Sequence, residues 1–180
     1  MLITVLISAF IIFVALIVVI AMQPTDFHIT RSAAIPAPAT VVFEQINDFH
    51  NWQAWSPWAR MDPNAKNTFE GSASGEGAIF SWAGNSKVGA GKMTLLESRP
   101  NNLIRIKLEF FKPFKATNTA EFKFSGGGEL TMVTWGMTGK NNFMAKAFGM
   151  VMNFDKIVGG QFDQGLANLK TVTDGITVKS

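Results

Sequence analysis

Between residues 103 and 138 the chain alternates apolar and polar side chains almost without a break. In Leu103–Phe111, Ile104, Ile106, Leu108 and Phe110 share one face, and Arg105, Lys107 and Glu109 share the other. Ala116–Phe124 repeats the pattern, with Asn118, Ala120, Phe122 and Phe124 opposite Thr117, Thr119, Glu121 and Lys123. Gly126-Gly127-Gly128 then turns the chain into Glu129–Thr138, where Val133, Trp135 and Met137 line one face. A period of two is the pleat of a β-strand, not the pitch of a helix. Runs of this kind joined by short turns fold back on one another as an antiparallel meander, apolar on one side and wet on the other. The apolar side needs a cover.

The cover comes after residue 143, where the period changes. Phe148, Val151, Asp155, Val158, Phe162, Gly165, Leu169 and Val172 recur every three or four residues, a stripe about seven turns long. This spacing predicts one long C-terminal helix laid across a curved antiparallel sheet, an α+β architecture. Further strand and turn signals run from residue 66, punctuated by Gly71, Gly75, Gly77, Gly84-Asn85 and Gly89/Gly91. Upstream, Phe27–Ile35 alternates as a first strand ended by Pro36-Ala37-Pro38. Thr40–Phe49 places Val42, Ile46 and Phe49 on one helical face with Phe43 beside them, and Pro38 suits the first turn. Trp52, Trp55 and Trp58, three of the five tryptophans, follow within seven residues, and Ser56-Pro57 ends any continuing helix.

Met1–Met22 stands apart. It has no charge, and its only polar side chains are Thr4 and Ser8. As a helix it spans roughly 33 Å, enough to cross a bilayer, and Gln23-Pro24 stops it. A cleaved secretory signal is the competing reading. Such signals have a shorter apolar run and begin with Lys or Arg, which this segment lacks. The division expected is therefore an anchor over 1–22, a linker over 23–26 and a folded domain over 27–178. The nearest cation to the span is Arg31, so the positive-inside rule fixes orientation poorly; the expected placement is a single-pass bacterial inner-membrane protein with its domain outside the cytoplasm.

Composition excludes several chemistries. The 16 Lys+Arg exceed the 13 Asp+Glu by a net charge of +3, but the excess is spread along the chain, so no nucleic-acid partner is indicated. One basic stretch, from Arg105 through Lys107 and Lys112 to Lys115, reads either as a strand with a solvated face or as a lipid contact. With no cysteine and only His28 and His50, no metal site or metal cofactor is expected. Gly89-Ala90-Gly91-Lys92 imitates the end of a phosphate loop, but Ser86 stands where its first glycine belongs and Met93 where Ser or Thr belongs. Gly71-Ser72-Ala73-Ser74-Gly75 puts alanine at the nucleophile position of a hydrolase elbow. Without tyrosine, acid–base chemistry reduces to His50 and carboxylates.

Three polar groups fall on faces expected to point inward: Asp155 within the helical stripe, Asn118 in its strand, and Glu97 beside Met93 and Leu95. A carboxylate in an apolar cavity has its pKa raised unless it is paired, which makes a general acid or an anchor for a polar head. Gly159-Gly160 and Gly165 each cost a helix interior roughly 1 kcal/mol against alanine. They leave either close helix–sheet packing or empty volume.

The element order, together with NDFHNWQAWSPW, SGEGAIFSWAGNSKVGAGKM, KPFKATNTAEFKF and NFDKIVGGQFDQGLANLK, resembles the SRPBCC superfamily. This is the START-like, polyketide cyclase/dehydrase-type helix-grip group, and more narrowly the chain resembles its membrane-anchored bacterial members of unassigned function. The resemblance covers residues 27–174. It implies a curved sheet gripping the last helix with a deep apolar cavity between them, and members that bind lipids, sterols, polyketides or plant hormones or catalyse cyclisation and dehydration. In such a cavity Phe80, Trp82, Ile106, Leu108, Phe110, Phe122, Trp135 and Phe162 would bury a hydrophobic ligand. Asn118 or Asp155 would orient its head, and Trp52, Trp55 and Trp58 would seal the mouth. The expected function is binding without catalysis and without a cofactor, the membrane being the other partner. The alternatives are a cyclase or dehydratase with Asp155 or Glu97 as acid–base, and a structural or interaction protein with a closed, filled interior.

Overall fold

The computed structural model describes residues 1–177; Val178, the last residue of the expected domain, lies outside them. Seven strands form one antiparallel sheet: β1 (Asp26–Ile35), β2 (Lys66–Gly71), β3 (Ala78–Ala83), β4 (Ala90–Arg99), β5 (Leu103–Lys112), β6 (Ala116–Gly127) and β7 (Leu130–Lys140), in the order β1-β7-β6-β5-β4-β3-β2. Every neighbouring pair except β1 and β7 is consecutive in the chain, so short turns build almost the whole sheet. The inward face is the one the alternation marks: Ile104, Ile106, Phe122 and Val133 are fully buried. The helix α5 (Phe154–Thr177) covers that face with Phe162, Leu166 and Leu169. This is the α+β helix grip.

Between β1 and β2 lie α2 (Ala39–Asn47), the four-residue α3 (Trp52–Trp55), and 3-10 turns at Phe49–Asn51 and Pro57–Arg60. α2 buries Val42, Phe43 and Ile46, one helical face, against the sheet and α5. Its last carbonyls have no partner within the helix, as at any helix end. The next segment supplies them: Trp52 Nε1 donates to Ile46 O (2.9 Å) and Trp55 Nε1 to Gln45 O (3.0 Å). Those two indoles close α2.

The glycines of α5 serve close packing. A Cβ on Gly165 would stand 2.7 Å from Trp135 Cζ3 and 3.2 Å from Pro57 Cδ, and one on Gly159 would overlap the Arg31 guanidinium. Gly160 and Gly175 instead face open space, with nothing within 4 Å. The helix thus approaches the sheet more closely than any side chain there would allow.

Two expectations about local structure are corrected. The C-terminal stripe is not one helix: α4 (Phe143–Gly149) is separate, and α5 begins only at Phe154. Asn142 and Asn153 each cap a helix start, their Oδ1 atoms accepting from Ala145 N (2.8 Å) and Lys156 N (2.9 Å). Phe148 and Val151, at the right spacing for the stripe, are 43% and 87% exposed. Glu97 does not share the face of Leu95. The register slips between Leu95 and Glu97, a bulge that leaves Leu95 opposite Ile106 but Glu97 opposite Arg105. One extra residue reverses the parity of everything after it, so Glu97 points outward.

Before β1, α1 (Leu2–Met22) projects from the rest, with Ile20 its one buried residue. It is long and apolar enough to cross a membrane, a property that a signal sequence shares. No α1 residue belongs to the hydrophobic core.

Candidate functional site

The space between α5 and the middle of the sheet is filled with aromatic rings. Trp52 and Trp55 lie 4.7 Å apart by ring centroid. Trp135 is held between Phe162, stacked at 4.1 Å and 9°, and Phe122 at 4.8 Å. Trp55 meets Trp135 edge-on at 5.7 Å, and Trp58 meets it at 5.9 Å. Edge-to-face and stacked pairs at these distances contribute about 0.5–1.5 kcal/mol each beyond their burial. Ile106, Phe122, Trp135 and Phe162, expected to line a cavity, therefore face other side chains. Trp52 and Trp55 are 5% and 0% exposed; they lie in the core rather than at a mouth, because their N–H groups are drawn back to α2. Trp58 is half-buried.

Burial falls off toward the end of the sheet nearest α1. Along β5 the inward residues Ile104 and Ile106 are fully buried, while Leu108 and Phe110 are only partly so. Along β3, Phe80 is buried and Trp82 half-buried. Here the concave face lacks full cover. Trp82 lies over Gly91, where a Cβ would come within 2.5 Å of its ring, and its Nε1 donates to Val88 O (3.0 Å). Phe110 meets Trp82 edge-on at 5.9 Å. The pairings Leu108↔Asn118 and Asn118↔Gly139 carry the same row across β6 and β7.

Asn118 is the chemical anomaly of that row. It is 8% exposed, and its Oδ1 has no hydrogen-bond partner among the described residues. Its Nδ2 finds only Met137 Sδ, at 3.9 Å. Gly139 makes room for it, since a Cβ there would overlap the amide and come within 2.7 Å of Phe27. An unsatisfied buried amide costs about 1–3 kcal/mol, and buried polar groups left unpaired in this way are rare. Among the described residues, Trp135 Nε1 is the other buried side-chain polar atom without a hydrogen-bond partner. Apolar walls with a few convergent polar atoms are the usual make-up of a small-molecule site.

The two carboxylate candidates stand elsewhere. Asp155 is exposed, with Arg31 Nη2 donating to its Oδ2 at 2.9 Å; Arg31 also reaches Asp163 at 3.3 Å. The hydrogen bond and charge of Arg31 hold the Asp155 carboxyl below its ordinary pKa, the reverse of what an acid in an apolar cavity requires. Glu97 pairs with Arg99 and Arg105 on the outer face. Arg105 also holds Glu121 at 2.7 Å and lowers its pKa. Lys107 pairs with Glu109 at 2.9 Å. The basic stretch is thus a solvated ion-paired face over Arg105–Glu109. Among the described residues no group of three His, Asp or Glu side chains is placed to hold a metal.

Arg31 is the residue that sequence reasoning missed. It shares strand parity with Ile29 and Ile35, both buried, and a cation on an inward face demands an acid from whatever packs there. Two surface concavities, of about 390 Å³ along Gly149–Phe154 and about 510 Å³ bordered by Phe43, Asn47, Ser74 and Pro100, contain none of the expected ligand residues.

A curved antiparallel sheet closed by one C-terminal helix, with an apolar concave face, defines the helix-grip class. Within it the chain belongs to the family described as polyketide cyclase/dehydrase and lipid transport, whose model matches residues 26–174. Similar solved structures include Aha1 from Colwellia psychrerythraea (13% identity, TM-score 0.58, 82% of this chain and 96% of that one). Major latex-like protein 151 from Panax ginseng is another (12%, 0.59, 83% and 99%). So is BexL, a di-domain ARO/CYC protein of the BE-7585A biosynthetic pathway (16%, 0.62, 87% of this chain but 53% of that one). At these identities the likeness is one of fold. No protein of curated function matches in sequence.

Proposed function

We propose that this chain is a membrane-anchored domain that binds a hydrophobic small molecule, lipid-like or polyketide-like, without catalysing its conversion. The observation that carries the reading is the uncovered end of the concave face, where Trp82, Leu108 and Phe110 remain half-buried beside the unpaired Asn118 Oδ1. A ligand removing a few hundred Å² of this surface from water would gain several kcal/mol, at about 25 cal/mol per Å², before ordering costs. A hydroxyl or N–H on its head would donate to Asn118 Oδ1. The family description, which includes lipid transport, supports this chemistry. So does the pairing of Asp155 and Glu97 with arginines, which leaves neither carboxylate free. Residues 1–22 would anchor the domain in the bacterial inner membrane, with residues 27–178 on the extracytoplasmic side. The tether keeps the domain where such ligands dissolve, raising their effective concentration.

The aromatic filling of the middle favours a second reading, a structural or interaction module with a closed interior. Native mass spectrometry of residues 24–180, purified without detergent, separates the two. The binding reading expects an apolar adduct. It also expects Asn118→Leu to weaken that adduct while leaving the delipidated protein at least as stable, because an unsatisfied amide is removed. Failure of the delipidated protein to take up fatty acid or phospholipid overturns the binding reading in favour of the closed module.

A further inference from the structure

We propose that the end of the domain bearing the open face docks on an anionic phospholipid surface through the β5–β6 turn and the α4–α5 connection. The proposal rests on the reading that α1 lies in a bilayer. Six apolar side chains there are unusually exposed: Val151 at 87%, Phe114 at 53%, Phe111 at 49%, Met150 and Met152 at 44% and Phe148 at 43%. They belong to two segments distant in sequence yet joined in space, since the Phe114 and Phe148 rings meet at 6.2 Å. Soluble surfaces seldom gather this much contiguous apolar area, and where they do a partner covers it.

The place of the patch identifies that partner. Lys146 of α4 donates to Ala21 O (3.1 Å) at the end of α1, and Asn141, just before α4, donates through Nδ2 to Pro24 O (3.3 Å). α4 is therefore fastened to the point where α1 leaves the bilayer, and the patch continues the apolar surface of that helix. The charges agree. Lys112 and Lys115 flank Phe114 and, unlike Lys107 on the same strand, form no ion pair among the described residues. Cations beside anionic headgroups are each worth about 1 kcal/mol, and an apolar tip framed by lysines is the pattern of an interfacial insertion. Docked in this way, the open end beside Phe110 and Asn118 faces lipid. A hydrophobic molecule then passes between bilayer and groove without crossing water.

The chain has no cysteine, so single cysteines report position cleanly. Full-length Val151→Cys and Ser74→Cys variants, the latter at the opposite end of the sheet, are labelled with an environment-sensitive fluorophore and reconstituted in nanodiscs containing anionic lipid. The expected result is a blue-shifted emission at 151, quenched several-fold more strongly by spin-labelled lipid than at 74, and weakened by Lys112→Glu with Lys115→Glu. Chain retained in the discs with a water-like probe at 151 overturns the docking and leaves the anchor standing. A blue shift that depends on chain-to-disc ratio and ignores spin-labelled lipid assigns the patch to a second copy and overturns it too. Chain that fails to stay with the discs, with no quenching at 151, overturns both anchor and docking.

Discussion

Replacing Gly165 by alanine sets two physical effects against each other, and the structure says which is larger. Alanine is worth about 1 kcal/mol over glycine in a helix interior. Against this, the new Cβ would stand 2.7 Å from Trp135 Cζ3 and 3.2 Å from Pro57 Cδ. Neither neighbour can recede: Pro57 is a ring closed on its own backbone, and Trp135 is held between Phe162 at 4.1 Å and Phe122 at 4.8 Å. Forcing extra volume into so packed a site costs typically about 1–3 kcal/mol. The expected balance is a net loss of about 1 kcal/mol, with up to 2 within range. Gly160 provides the control, because a Cβ there meets nothing within 4 Å on the same helix. Gly160→Ala should gain up to about 1 kcal/mol from propensity alone. Each kcal/mol moves the midpoint of a chain this size by about 2–4 °C, so the variants separate to opposite sides of the parent. Residues 24–180 contain the hydrophobic core of the described residues, and thermal and urea unfolding followed by tryptophan fluorescence and far-UV circular dichroism measure both. A Gly165→Ala variant as stable as Gly160→Ala would refute the reasoning. It would mean that Trp135 has slack and that the centre is not filled.

Three further outcomes are expected. Because Arg31 lowers the pKa of Asp155, the ion pair stabilises the fold above the ordinary carboxylate pKa, and that contribution is lost as pH falls through the lowered value. The margin of the parent over Asp155→Asn in urea midpoint should hold near neutrality and close in strong acid, with ligand binding unchanged throughout. Trp55→Phe removes the donor on Gln45 O and part of a fully buried ring, and should cost about 1–3 kcal/mol in the same unfolding assay. Glu97→Gln loosens an outer-face cluster with Arg99 and Arg105 and should cost less than about 1 kcal/mol; loss of lipid uptake in this variant would show that the carboxylate reaches the groove.

The strands were legible because each residue of β5, β6 and β7 tests the same two-fold rule, and one face is apolar but for Asn118 and Thr131. What escaped are the places where a single residue changes the frame. Nothing in Leu95-Leu96-Glu97 announces a bulge, yet it alone turns Glu97 outward. Phe148 and Val151 obey the helical spacing but lie outside α5, since periodicity records the kinds of residue present and not what faces them. Asn142 and Asn153, both good helix caps, were the available signal that the stripe is cut. Residue size also does not give location. Trp52 and Trp55 were expected to seal a mouth, and their place in the core is set by their N–H groups, which find carbonyls freed by the end of α2 just before them in the chain. Asn118 was assigned its inward face from parity alone; that its Oδ1 has no partner there is a property of the assembled row.

The filled centre and the open end constrain each other. With Trp52, Trp55, Trp135 and Phe162 occupying the depth between sheet and helix, no long molecule is swallowed whole as it would be in a deep cavity. On the binding reading, the half-buried row of Trp82, Leu108 and Phe110 takes only a short apolar length, and the Asn118 amide supplies the discrimination. A hydrophobic body longer than that row has to keep its remainder away from water by other means. On the docking proposal, the exposed apolar end held beside α1 is the surface where lipid would serve that purpose. A short groove at that end is then sufficient, because the bilayer supplies the rest of the apolar environment. This also accounts for the aromatic filling. The rings that close the interior stabilise the domain at the level where, under this arrangement, no ligand needs to go.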